Sequence, residues 1–294
     1  MKKSFLVHDL ETITDPSLPL PSPKTCQEIL TFEPPSDPPC AWEGKACGVN
    51  LVDRSGLLCP SCNVPPQPFL PPSYHQIVCI GYARITADFE IEEISILNAY
   101  PLPSAESEKL PALLEADALG TLFDYLETVN PTLVGWNSRK FDAPVLAARA
   151  FLHGIPFPWY YKKPRQADPR YRYDENGHYD LKTYLCDYGA ASAASLDVFA
   201  KSMGLPGKVG TDGSMVAEMV REGRISEVES YCACDVAQTT GVLFRTELLR
   251  GRITLEEYQK AAHGLFLEIE RNVLLSALKD RIDWDRFMLT GRNQ

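Results

Sequence analysis

The chain has 294 residues, is 45% hydrophobic and 23% charged, and carries a formal net charge of -10. This composition excludes a disordered or collagen-like chain and supports a substantial core, with a length that suits one domain plus additions or two small domains. The acidic balance excludes a protein that coats nucleic acid through global charge, so any polyanion must be met by a local basic patch or by bound cations.

At the N-terminus, Lys2-Lys3 precede a brief apolar run that Asp9 interrupts, and no stretch approaches the roughly 18 apolar residues of a membrane span, so a cytoplasmic protein without a membrane partner is expected. Phe5-Leu6-Val7-His8-Asp9-Leu10-Glu11 carries a strand signal that runs into two acids one residue apart. A strand points residues i and i+2 to one face, so Asp9 and Glu11 stand side by side at its end. Two readings are open at this point: a strand entering a solvated turn at Thr12 to Pro16, or one wall of a cation site.

Residues 15–72 hold 14 of the 24 prolines, which precludes regular helix or sheet there. Cys40, Cys47, Cys59 and Cys62 lie in this segment, the last two as Cys-x-x-Cys. Four thiolates satisfy tetrahedral Zn²⁺, and a segment this poor in apolar residues needs such a staple, so a knuckle-like element with one structural zinc is expected. Cys26 is an alternative ligand. A flexible linker with incidental thiols and an iron–sulfur cluster are the competing readings.

Strand patterns resume at 77–85 and 89–97, and leucines at helical spacing follow from Ser107 to Val129. A buried strand is expected over Thr132 to Trp136, then Asn137 and a helix from Phe141-Asp142. The order of these elements predicts an α/β fold with a mixed sheet flanked by helices. Residues 155–179 read as a long loop in which Phe157, Trp159, Tyr160, Tyr161, Tyr171 and Tyr173 interleave with Lys162, Lys163, Arg165, Arg170 and Arg172. Rings that stack on bases beside cations that meet phosphates suit a single-stranded nucleic acid, while a solvated loop whose tyrosines pack back on the body is the plainer alternative. Asp180 starts a short helix, Ser195 caps another, and Gly204-Leu205-Pro206-Gly207-Lys208 ends it.

A long helix is expected over Ile225 to Arg250, with Val228, Tyr231, Asp235, Thr239 and Val242 on one face. An ionised Asp235 among core-facing groups costs several kcal/mol unless a cation accompanies it. The tail from Thr254 is amphipathic and helical in pattern, suited equally to core packing or to a partner. Cys79, Cys186, Cys232 and Cys234 read as small buried hydrophobes. Asp9, Glu11, Asp142 and Asp235 together form a four-carboxylate set, which suits hard divalent cations such as Mg²⁺ or Mn²⁺. Two such ions activate a water and stabilise both oxygens of an in-line phosphoryl displacement.

Asp9-x-Glu11, then Asn137-Ser138-Arg139-Lys140-Phe141-Asp142, then Tyr231-Cys232-Ala233-Cys234-Asp235 resemble the three exonuclease motifs of the DEDD superfamily of 3′-to-5′ exonucleases, in its tyrosine subclass. More narrowly, with Ser195 to Lys208 and Asp212 to Ser214, the sequence resembles the predicted exonucleases related to the proofreading domain of family B DNA polymerases. The resemblance spans roughly residues 3–14 and 74–251, leaving 15–72 as an insertion and 252–294 as a C-terminal helical extension. It implies a ribonuclease-H-like fold, two Mg²⁺ or Mn²⁺ ions on Asp9, Glu11, Asp142 and Asp235 with Asp9 bridging them, and Tyr231 orienting the attacking water. His8 and His178 rank below Tyr231 as candidate bases, because in this superfamily a histidine base replaces the tyrosine in the final motif. It also implies that Leu10, Asn137 and Phe141 lie near the 3′ end of the substrate and that Asp180 supports the site, with Lys208 and the 157–173 loop touching the strand. Single-stranded DNA is the expected substrate, with RNA as the close alternative and a polymerase or repair protein as a candidate partner. A non-catalytic adaptor built on the zinc element is the alternative from another class, and the intact acid set argues against it.

Overall fold

The computed structural model describes residues 3–19, 70–101, 111–161, 167–192, 194–210 and 213–290. Strand β1 (Phe5–Thr14) is followed, after the insertion, by β2 (His75–Ile85) and β3 (Ile91–Asn98), then helix α1 (Pro111–Val129), β4 (Thr132–Gly135), α2 (Asp142–His153) and a helical turn α3 (Pro158–Tyr161). The chain continues through β5 (His178–Asp180), α4 (Leu181–Leu185), α5 (Leu196–Ser202), α6 (Val216–Arg221), the 25-residue α7 (Ile225–Leu249), α8 (Leu255–Arg271) and α9 (Trp284–Met288). The described chain divides into two compact units, residues 1–13 with 76–294, and residues 14–75.

The five strands form one mixed sheet in the order β3-β2-β1-β4-β5, with β2 and β3 antiparallel and β1, β4 and β5 parallel. Alternation along the strands divides the core. Leu6, Leu10, Ile77, Ile80 and Leu133 pack under α1 and α2, whereas Val7, Ala83, Ile85, Val134 and Tyr179 pack under α7. Since Asp9 and Glu11 continue the alternation of Val7, they project to the α7 side.

Register places the functional residues at one end of the sheet. Val7 pairs with Val134, Val134 with Tyr179 and Gly135 with Asp180, so β4 and β5 end together while β1 runs on to Thr14, carrying Asp9 and Glu11 past its last partner on β4. Crevices at such ends are the usual ligand sites of open α/β sheets.

Two expectations are corrected. The segment 155–179 is not one loop: it contains α3 and β5, and its first aromatics are core, with Phe157 stacked on Phe123 at 3.8 Å and Trp159 donating to Asn130 Oδ1 at 3.1 Å. Ser195 occupies the cap position of α5 in extended geometry, but its side chain makes no capping hydrogen bond. The C-terminal tail packs as core. Thr254 forms a capping box with Glu257 at the start of α8, and Tyr258, Ala261, Leu265, Ile269, Leu275 and Phe287 join the cluster around α7. Covered by the sheet on one side and by this tail on the other, α7 is buried along most of its length.

In the unit 14–75, the described ends meet: the Asp15 amide donates to Tyr74 O at 2.8 Å, and the Asp15 carboxylate accepts from the amide and hydroxyl of Ser17. Cys26, Cys40, Cys47, Cys59 and Cys62 lie outside the described residues, as do Lys162, Lys163 and Arg165. No described helix is long and apolar enough to cross a membrane.

Candidate active site

The four acids converge. Asp9 and Glu11 come from the middle of β1, which continues to Thr14 rather than ending in a turn at Thr12 as expected, Asp142 from the first turn of α2, and Asp235 from the middle of α7. Burial, then the neighbouring carboxylates of Asp142 and Asp235, holds the Asp9 carboxyl well above its ordinary range. Glu11 is raised in the same way, by burial and then by Asp9, Asp235 and Asp142, with the Lys208 ammonium opposing. Asp142 is pushed up to about 7, chiefly by burial and also by the Asp180 charge, although its own amide and the Leu10 amide both donate to its ionised form. The Leu10 amide is available because β1 runs past the last residue paired with β4, and it also donates to the Asp9 carboxylate.

Tyr231 is buried one helical turn before Asp235 and donates its hydroxyl to that carboxylate. Burial, then Asp235, Glu11 and Asp9, pushes its phenol far up, so it stays protonated at any working pH. Gln238 approaches Asp235 from the next turn, its Nε2 3.5 Å from Oδ1.

The loop after β4 is held by one carboxylate. Asp180 accepts from the amides of Asn137 at 3.2 Å, Arg139 at 3.0 Å and Thr183 at 3.0 Å, so it caps α4 and fixes the turn that delivers Asp142. Asn137 adopts a left-handed conformation there, φ 62°, which asparagine tolerates better than most residues. Phe141 occupies the cap position of α2 and packs, half-buried, against the core beneath α1. Arg139 ties this turn to the next segment by donating to Pro169 O at 2.8 Å, Asp174 O at 3.3 Å and His178 O.

Lys208, whose charge acts on Glu11, sits in a loop organised by Asp197. The Asp197 carboxylate accepts from the Lys208 amide at 2.7 Å and pairs with Lys201 at 2.9 Å, while Gly207 at φ 72° makes the turn between them. His8 and His178 are structural. His8 Nδ1 donates to Val134 O at 2.8 Å and burial lowers its pKa to about 4; His178 Nε2 pairs with Ser138 Oγ at 2.8 Å and burial lowers it further. Both are neutral at neutral pH.

Thus Asp9, Leu10, Glu11, Asp142, Tyr231 and Asp235 form one constellation, with Asn137, Phe141, Asp180 and Lys208 around it. Tyr160 and Tyr161 lie elsewhere: Tyr160 stacks on Phe157 at 5.2 Å and Tyr161 meets Tyr160 edge-on at 5.3 Å. Sequence reasoning missed two residues. Cys232 lies with Asp9 and Glu11 in a group whose ligand atoms are all within 4.8 Å, and Arg139 anchors the loop before Asp142. The signal for Cys232 was its place directly after Tyr231 on a helix facing the sheet.

The donor set fits hard divalent cations. It consists of carboxylate oxygens, one of which, Asp142 Oδ1, is buried without a hydrogen-bond partner, beside a single thiol.

Residues 67–289 match the family described as predicted 3′–5′ exonucleases related to the exonuclease domain of PolB, and the chain belongs to that family. The match runs through the C-terminal tail, beyond the end at residue 251 expected from the motifs, and begins after Asp9 and Glu11. No curated protein matches the chain in sequence. Among solved structures, it is similar to the family B DNA polymerase from the hyperthermophilic archaeon Pyrobaculum calidifontis, with 17% identity over 90% of this chain and 26% of that chain, at a TM-score of 0.45. A product-bound exonuclease I is similar at 12% identity over 92% of this chain and 46% of that chain, with a TM-score of 0.36. The chain therefore spans 26% and 46% of the lengths of those two chains.

Proposed function

We propose that the protein is a metal-dependent 3′-to-5′ exonuclease on a ribonuclease-H-like sheet, which shortens single-stranded DNA from its 3′ end and releases nucleoside 5′-monophosphates. The observation that carries this reading is the convergence of Asp9, Glu11, Asp142 and Asp235, where burial opposes the ionisation of the first three. Two Mg²⁺ or Mn²⁺ ions held by these carboxylates would supply water activation and stabilise the leaving 3′ oxygen.

The chain's own residues do the rest. The Tyr231 hydroxyl, protonated and anchored on Asp235, orients the attacking water and does not act as the base. The Leu10 amide and the Asn137 turn, fixed by Asp180, border the terminal nucleotide. Lys208, whose charge acts on Glu11, meets a phosphate of the incoming strand. Cys40, Cys47, Cys59 and Cys62 hold one structural Zn²⁺, a reading supported by the Cys-x-x-Cys turn.

The test is incubation of the purified chain with 5′-labelled single-stranded DNA and RNA, with Mg²⁺, Mn²⁺ or chelator, beside Asp9→Asn. A ladder that shortens from the 3′ end only with metal, and is lost in the variant, is expected. Absence of metal-dependent degradation of either polymer overturns the proposal, and faster degradation of RNA reassigns the substrate. Zinc content by elemental analysis should fall in Cys59→Ser/Cys62→Ser; an unchanged content removes the zinc site.

A further inference from the structure

Beyond the acid cluster, the described surface carries a run of aromatic rings and guanidinium groups that the reaction itself does not use. One foot stands in the core beneath α1, where Phe123, Phe157 and Tyr160 stack in succession at 3.8 and 5.2 Å. From there Tyr161 leads outward, and Arg170 sits over the Tyr160 and Tyr161 rings at 6.0 and 5.0 Å. The other foot is Tyr179, buried beneath α7, which meets Tyr184 at 5.2 Å; Tyr184 meets Tyr188 at 6.0 Å, and Tyr188 meets Tyr173 at 4.7 Å. Tyr171 continues from Tyr173 at 5.7 Å, and Arg172 lies over the Tyr173 ring at 5.8 Å.

Between the buried feet, the rings are open to solvent. Tyr161, Tyr171 and Tyr173 are 53%, 57% and 54% exposed. Tyrosines that merely filled the core would be covered, as Tyr179 is. The geometry is also held at a cost. Asp187, Tyr188 and Gly189 are successive left-handed residues with φ of 51°, 52° and 100°, a conformation that strains the two non-glycine residues. Around this turn, Arg172 donates to Tyr188 O and the Tyr188 hydroxyl donates to Glu175, which Arg250, just past α7, grips at 2.9 Å. The strained turn thereby presents the Tyr188 ring to Tyr173 in a fixed position.

The run is tied through Arg139 to the turn that delivers Asp142. Arg139, in the turn that delivers Asp142, holds the main chain at Pro169, Asp174 and His178, on both sides of Arg170 to Tyr173, and its charge acts on Tyr160. Arg170 and Arg172 also place positive charge on the surface of a chain whose formal net charge is -10. Exposed rings interleaved with cations suit a flexible polyanion with flat bases, because every base has a face to stack and every step carries a phosphate.

We infer that Tyr161, Arg170, Tyr171, Arg172 and Tyr173, backed by Tyr188, form a lane that holds the part of a single strand lying 5′ of the scissile nucleotide. Bases stack on Tyr171 and Tyr173 while Arg170 and Arg172 meet the backbone, so the lane confers a preference for longer strands. This rests on the exonuclease reading for the direction of the strand, but not for the lane's ability to bind one.

Two measurements separate the two. The first is fluorescence anisotropy of a labelled 12-nucleotide DNA strand, and of its RNA counterpart, with chelator present so that no cleavage occurs. The second is the ratio of KM for a dinucleotide to KM for the 12-mer, with Mg²⁺. Tyr171→Ala/Tyr173→Ala should weaken 12-mer binding and collapse the KM ratio by roughly tenfold or more, since stacking contributes about 1–3 kcal/mol per base. Tyr171→Phe/Tyr173→Phe, which keeps the ring faces, should retain both. Thermal melting identifies any variant that has unfolded, and Tyr171→Ala alone then carries the test. Unchanged binding and an unchanged KM ratio overturn the lane, as does a wild type that binds no 12-mer in chelator. A wild type that binds the strand through these tyrosines but cleaves nothing keeps the lane and removes the exonuclease reading.

Discussion

The Cys232 thiol lies 3.5 Å from the main-chain oxygen of Asp9 and 3.9 Å from its Oδ2, so α7 is pressed against the strand that carries the first two acids. Gly81 on β2 permits this approach. A Cβ there would stand 2.8 Å from Cys232 Sγ and 2.9 Å from Val236 Cγ2. Gly81→Ala is therefore expected to push α7 away from the sheet, costing about 1–3 kcal/mol of stability, as overpacking does. It should also lower nuclease activity more than that loss explains, because Tyr231 and Asp235 move with the helix. Urea denaturation beside activity at a temperature where the variant is fully folded checks this, and a stable variant of unchanged activity contradicts it.

The acid cluster makes stability depend on pH in a particular sense. Asp142 has a folded pKa of about 7, above the ordinary aspartate value. The folded state therefore binds the proton more tightly, and its contribution is complete below the unfolded pKa and lost as pH rises through about 7. In chelator, wild type should lose up to about 1.4 kcal/mol per pH unit in this window relative to Asp142→Asn. Asp9 and Glu11, also raised, act in the same direction. Mg²⁺ or Mn²⁺ should reverse the loss in wild type at pH 8 and do so much less in the variant. Thermal melting from pH 4 to 9 reads the slope, and identical curves with and without metal contradict it.

Tyr231→Phe separates orientation from assembly. The ring stays buried and only the hydroxyl is lost, so the melting temperature with metal should change little. The kcat should fall roughly 10²-fold, within the range for loss of a group that positions a proton-transfer partner. Because the phenol is protonated throughout, the pH profile should keep its shape in the variant. Loss of a limb on which activity rises with pH would instead assign Tyr231 as the base.

Far from the site, Glu115 ties two helices to the sheet. Its carboxylate accepts from the Ile77 amide at 2.8 Å and from Arg149 Nε at 2.7 Å and Nη2 at 2.5 Å, with His153 Nε2 at 2.8 Å, all buried or nearly so. Arg149→Met leaves that carboxylate without its main partner and should cost about 3–5 kcal/mol. Glu115→Gln/Arg149→Met should recover much of this loss, since no uncompensated charge remains. Chemical denaturation of both variants measures the difference, and equal losses would show that packing, not charge, dominates.

Much of this arrangement was legible in the sequence because strand and helix periodicities are local. Asp9 and Glu11 share a face by alternation, and Tyr231 and Asp235 share one by helical spacing; neither statement needs a tertiary structure. What was not legible depends on distant partners. Strand β5 has only three residues, too few for a periodic signal, and its pairing with β4 is what brings Asp180 under the Asn137 turn. Phe157 and Tyr173 look alike in an aromatic run, yet one is buried against Phe123 and the other lies open. The role of Cys232 depends on a glycine about 150 residues earlier, and the tail is core only because α7 has a second face to cover.

The hydrogen bond between Asp15 and Tyr74 brings the exit and return of the long insertion to a single point. A segment attached this way is a plug-in: it can be lengthened, exchanged or deleted between those two residues while β1 and β2 keep their places in the sheet.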